Sequence, residues 1–169
     1  MSTIRTVLFA SGLLTLSRAT SAGEVDPLFI VSKSENKNQV HYAMSVDEAC
    51  VPLGATPIRA YWRMFEKGPT VQEPLLDREQ PAYGIASQSV AAGVVTATLR
   101  ALPGRPIAVR TWRAEDGSCH AMSRVTIDGS QARLYNVHVA LKLFGVEYLL
   151  LTGWSDGGRT VREKISPSF

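Results

Sequence analysis

Beyond its first two dozen residues, no apolar run in this 169-residue chain approaches the ~20 residues that a membrane-spanning helix needs. Catalytic signatures are missing as well. There is no Gly-x-Ser-x-Gly elbow, no glycine loop to cradle phosphate and no dinucleotide fingerprint. The chain also lacks HExxH, paired CxxC and an acidic loop with calcium spacing. His41, His120 and His138 therefore read as three separate surface imidazoles, and neither metal nor cofactor is expected. Internal repeats and low-complexity tracts are absent, which argues against a solenoid. Helix-like sequence is confined to Glu73–Gln80, with Pro74 as a start signal and Pro81 as a stop.

What is present begins with a leader. Met1 to Arg5 carries one positive charge, Thr6 to Leu16 is apolar, and Arg18-Ala19-Thr20-Ser21-Ala22 ends in small residues. That order is the pattern of a secretory signal, so residues 1–22 are expected to be removed and 23–169 to form one exported domain. Cleavage also removes Arg5 and Arg18, taking Lys+Arg from 18 to 16 against 15 acids. A nucleic-acid footprint needs a concentrated basic face, so no such partner is expected. Nor does any transmembrane segment remain after cleavage.

Two cysteines, Cys50 and Cys119, lie in this exported part. An even count in an oxidising compartment favours a disulfide over two buried free thiols. Cys119 shares strand parity with Val125 and Ile127 and so points inward, while Cys50 lies in an irregular loop that the bond would pin. No base is spaced to activate either thiol.

Strand signals fill the rest. Ile58, Ala60, Trp62 and Met64 alternate with Arg59, Tyr61, Arg63 and Phe65, the period of a half-buried strand. Val40, Tyr42, Met44 and Val46 alternate in the same way, and Pro27–Lys33 is a short apolar strand before them. Further strands are expected at Tyr83–Val90, Val94–Ala101, Pro106–Ala114, Ser118–Ile127, Gln131–Leu143, Val146–Trp154 and Arg159–Ile165. Asp128-Gly129 between two of them is a hairpin signal, because both residues tolerate positive φ. Short connections imply antiparallel neighbours. The expected fold is all-β, an antiparallel meander of about ten strands closed into a barrel, or alternatively folded into a two-layer sandwich, with one short helix.

The candidate site follows from the basic residues. Arg59 and Arg63 share a face with Tyr61 and Phe65, and Arg110 shares one with Trp112. Guanidinium interleaved with aromatic rings suits an anionic or aromatic ligand, although a solvated sheet face has the same composition. Gly153-Trp154-Ser155-Asp156-Gly157-Gly158 reads as a strand end and hairpin, and Asp77 and Glu79 read as solvated.

The run Leu28-Phe29-Ile30 through Ser32–Asn38 to Tyr42, then Tyr61-Trp62-Arg63-Met64, Leu76–Glu79 and Ala82-Tyr83-Gly84, resembles a bacterial domain-of-unknown-function family, number 4833. The Val125–Gly129 hairpin and the Gly153–Ile165 ending are similar too, while the Cys50 loop and Pro81 depart from the pattern. The resemblance implies a bacterial, often exported, single-domain protein, and it carries over no activity and no functional residue. The combined expectation is a non-enzymatic exported binding module for a small-molecule or protein partner. A periplasmic hydrolase and a structural envelope component are its rivals.

Overall fold

The computed structural model describes residues 23–143 and 145–166, so the expected leader at 1–22 lies outside the described residues. Eleven strands run in chain order: β1 Gly23–Lys33, β2 Gln39–Val46, β3 Ile58–Arg63, β4 Gln72–Pro74, β5 Ile85–Ala91, β6 Val94–Leu99, β7 Ile107–Arg113, β8 Cys119–Ile127, β9 Ser130–Lys142, β10 Gly145–Trp154 and β11 Thr160–Ile165. A 3-10 turn at Asp77–Glu79 leads into the one short helix among the described residues, α1, at Gln80–Tyr83. Pro81 therefore does not stop the helix. It sits in the first turn of α1, where the missing N–H has no intrahelical partner to lose. Pro74 lies not in a helix but in β4, opposite Tyr61.

All eleven strands belong to one sheet, ordered β4-β3-β2-β1-β9-β8-β7-β6-β5, with β10 on the other edge of β9 and β11 beyond it. Sequential neighbours are antiparallel, as short turns require. The one departure is β1 against β9, which is parallel and pairs Ile30 with Asn136 through Lys33 with Val139. Nor does the sheet close into a barrel. Where β3 and β5 approach, no backbone ladder forms; the Gln88 side chain takes its place. Its Nε2 donates to the Ile58 carbonyl at 2.7 Å, and its Oε1 accepts from the Ile58 N–H at 2.9 Å. One continuous sheet likewise replaces the two separate sheets of the sandwich alternative.

Strand parity places the core. Val40, Tyr42, Met44 and Val46 are all buried on the inner face of β2, with the Tyr42 ring stacked on Phe29 at 4.4 Å. On β3 the inner face carries Ile58 and Trp62, both in the core cluster. Two of the four bulges in the sheet then redirect it. On β9, Leu134 opposes Gly153 and Asn136 opposes Thr152, leaving Tyr135 as an extra residue. Ala132 and Leu134 before it are buried, and so are Val137 and Val139 after it, so the inward parity changes across Tyr135. That shift lets the first half of β9 pair with β8 and the second half with β1. Gly153 faces this bulge because a Cβ there would collide with the Arg133 carbonyl and the Ile127 side chain. The second bulge, in β1, sets Asp26-Pro27-Leu28 against Ala43 alone.

The Asp128-Gly129 hairpin forms as expected, with φ of 50° and 74°. Cys50 and Cys119 are joined, with Cα atoms 5.4 Å apart, and Cys119 lies inward against the core.

Candidate functional site

The outer face of β1–β3 and of the turn just after β3 holds four of the six residues expected to form a site, but one of their two cations, Arg59, is already paired. The β1 bulge drapes Asp26 over this face. One Asp26 oxygen accepts from the Tyr61 hydroxyl, and the other lies 3.5 Å from His41 Nδ1. Arg59 stacks on Tyr61 at 4.3 Å and is held bidentately by Glu24 at 2.6 and 2.8 Å. Tyr61 and His41 are buried, and Phe65, 39% exposed, sits beside the imidazole. Burial, reinforced by Asp26, raises the Tyr61 pKa, so the phenol stays protonated. Burial also lowers the pKa of His41 despite Asp26, with Arg63 adding to the effect, and the imidazole is held neutral. Arg63 Nε and both His41 nitrogens are buried without a hydrogen-bond partner. This is a packed polar cluster, and Arg63 alone of its cations has no carboxylate partner among the described residues.

Arg110 and Trp112 do not join it. Both are exposed on β7, with β2, β1, β9 and β8 between that strand and β3 along the hydrogen-bonded order. Trp112 instead stacks on His120 at 5.7 Å. Ser118 Oγ lies 2.5 Å from Asp116 and 2.9 Å from His120 Nε2. Here the acid holds the serine rather than the imidazole, which is the wrong order for activating a nucleophile. His138 pairs with Ser32 at 3.1 Å, so the three histidines occupy three separate surroundings. Among the described residues no group of three or more His, Cys, Asp or Glu side chains is placed to hold a metal ion.

Two cavities flank the segment that contains α1. The first, 440 Å³, is polar and has Trp62, Met64 and Leu76 among Lys33, Glu73, Arg78 and Glu79. Its groups are largely engaged. Glu79 accepts from the Trp62 indole N–H and the Leu76 N–H, each at 2.8 Å, Lys67 binds Glu73, and Lys33 lies over the Trp62 ring. The expectation that Glu79 is simply solvated is thereby corrected.

The second cavity is larger, 560 Å³, and opens at the end of the sheet between α1, the turn from Arg100 to Arg105, and the meeting ends of β9, β10 and β11. Its wall is mostly apolar, with Leu102, Val139 and Leu149 buried at its base and Leu141, Val146 and Ile165 around them. Among the described residues no acidic side chain lines it, and two arginines do. Arg105 is engaged, since its Nη1 and Nη2 each donate to Glu163 at 2.5 Å and Nη1 also reaches the Thr126 carbonyl. Arg100 has no side-chain partner among the described residues, while its backbone N–H is anchored on the Gly84 carbonyl at 3.0 Å.

A family model described as Domain of unknown function (DUF4833) matches residues 29–164. The chain belongs to that family. No curated protein matches it, and no solved structure does. The DUF4833 match spans the whole β3 face and all of the apolar cavity wall except Ile165 and Ser166; Glu24 and Asp26 precede it. Sequence patterning in this DUF4833 chain missed the cavity because its wall comes from five separate places. The nearest signal in the sequence is Arg100 itself, a basic residue within the Val94–Ala101 strand pattern and next to the Ala101-Leu102-Pro103-Gly104 turn.

Proposed function

We propose that this DUF4833 domain is a binding module that takes a small molecule with an apolar body into the cavity at the open end of the sheet. The observation that carries the reading is the cavity itself. At 560 Å³ it lies inside the range of about 300–1,000 Å³ typical of ligand pockets, and its wall is apolar with few polar groups. The Arg59–Tyr61 face is the weaker alternative, since Glu24 and Asp26 already satisfy its main donors. The module works outside the cytoplasm, as the leader-like residues 1–22 suggest.

The test is calorimetric titration with a neutral homologous series, 1-hexanol to 1-nonanol. Each added methylene buried in the cavity should tighten binding about four-fold, from ~0.8 kcal/mol per group. Ala101→Trp, which places a large ring in the cavity wall, should abolish binding while the melting temperature stays within a few degrees. Affinity that ignores chain length, or survives Ala101→Trp unchanged, would sink the reading.

A further inference from the structure

We infer that the ligand carries an anionic head group, recognised by Arg100 at the cavity mouth; the inference rests on the cavity reading above and specifies its ligand. The two arginines of the wall are not equivalent. Arg105 forms a fork-to-fork pair with Glu163, and the Asp128 N–H also donates to Glu163, at 2.7 Å. That guanidinium is a structural tie between the turn and β11, electrically neutralised by its partner. Arg100 is the reverse case. Its main chain is fixed beside Gly84, its side chain is exposed at the same mouth, and it has no carboxylate or carbonyl partner among the described residues.

An unpaired guanidinium next to an apolar cavity with no acid among the described residues of its wall gives that cavity a directional field. An anion at the mouth is favoured, a cation is repelled, and a planar carboxylate or a phosphate monoester fits the two-pronged donor geometry. The apolar base of the cavity fixes the other end of the ligand. The chemical class is a single alkyl chain ending in an anion, whether a free carboxylate or a lipid-derived phosphate.

Four nine-carbon probes separate the possibilities at concentrations below their self-association: 1-nonanol, nonanoate, nonyl phosphate and nonyltrimethylammonium. Nonanoate, nonyl phosphate or both should bind at least about ten-fold tighter than 1-nonanol, and the ammonium compound more weakly than the alcohol. Whichever anion binds tighter identifies the source of the head group, and either supports the inference. Arg100→Gln should remove the anion's advantage and leave 1-nonanol binding intact. Arg105→Gln should lower the melting temperature yet keep the anion-to-alcohol ratio. Raising salt should shrink that ratio in the wild type, since the contact is exposed. Equal affinity for alcohol and anion, or a ratio unaffected by Arg100→Gln, would overturn the head-group assignment while the cavity reading stands. Failure of 1-nonanol and both anions to bind would overturn both.

Discussion

His41 occupies a position where an imidazole is costly to keep. It lies on the outer face of β2, yet Asp26, Tyr61 and Phe65 cover it, and neither ring nitrogen has a hydrogen-bond partner. The groups facing it are of both signs. Asp26 favours protonation, Arg63 opposes it, and Glu24 and Arg59 largely cancel each other one row away. Burial outweighs them all and lowers its pKa below the ordinary 6.5. In the unfolded chain the ring takes up a proton near its ordinary value, whereas in the folded chain it resists until lower pH. The unfolded state therefore binds more protons between the two values, so stability rises with pH in that window. The contribution is fully present above about pH 6.5 and is lost as pH falls below it, with a slope of at most about 1.4 kcal/mol per pH unit. Melting temperatures measured from pH 7.5 down to 5 should show this decline. His41→Gln should flatten it, and an unchanged slope in that variant would show that another group is responsible.

At the scale of elements, the sheet is shaped by residues that break its ladder. The extra Tyr135 lets β9 serve two sets of neighbours, and the three-for-one bulge in β1 delivers Asp26 to its outer face. Side chains then make the connections that backbone pairing does not. Gln88 bridges β5 to β3, and Glu163 on β11 binds both the Arg100–Arg105 turn and the β8–β9 hairpin. Arg105 and the Asp128 N–H hold the Glu163 carboxyl down at about 2, from an ordinary 4.5. A lowered carboxylate pKa stabilises the fold above its unfolded value, and that stability disappears as pH falls from about 4.5 towards 2. Both side chains remain partly exposed, at 29% and 21%, so the full shift overstates the gain. Glu163→Gln should cost about 1–2 kcal/mol at pH 7 in denaturant unfolding. The variant and the wild type should converge near pH 2. A deficit that persists there would assign the loss to packing rather than to charge. This window lies below that of His41, so one pH series resolves the two.

For the molecule as a whole, sequence patterning reached as far as local physics does. Alternation placed Tyr42, Met44, Ile58 and Trp62 inside, and Asp128-Gly129 at a hairpin, because parity and positive φ are set within a few residues. The pairing of Ile30 with Asn136 joins residues more than a hundred apart, and nothing in either strand specifies it. Barrel closure failed for the same reason, since it depends on which backbone groups meet across β3 and β5. Arg59, Tyr61 and Arg63 on β3, with Phe65 in the turn just after it, do share one face. Their neutralising partners Glu24 and Asp26 were not legible, because a bulge rather than a spacing brings them there. The Cys50–Cys119 bond is a long-range contact that was legible, from the even count, the expected export and the inward parity of Cys119, and it fastens the loop after β2 to the start of β8 across a separation of 69 residues. Closing a loop of that length is worth about 4 kcal/mol on the chain-entropy account. Other contacts also hold the Cys50 loop. Asp47 accepts from the Ala49 and Val51 N–H groups, and Arg113 Nη1 donates to the Glu48 carbonyl at 3.0 Å. These survive loss of the bond, and residual denatured-state structure takes a further share, so the Cys50→Ser, Cys119→Ser double variant should lose about 2–4 kcal/mol. The folded variant should keep the native far-ultraviolet circular dichroism, and reducing the wild type should reproduce its midpoint. A double variant that unfolds at the wild-type denaturant concentration, with the same slope, would show that the bond does not constrain the unfolded chain.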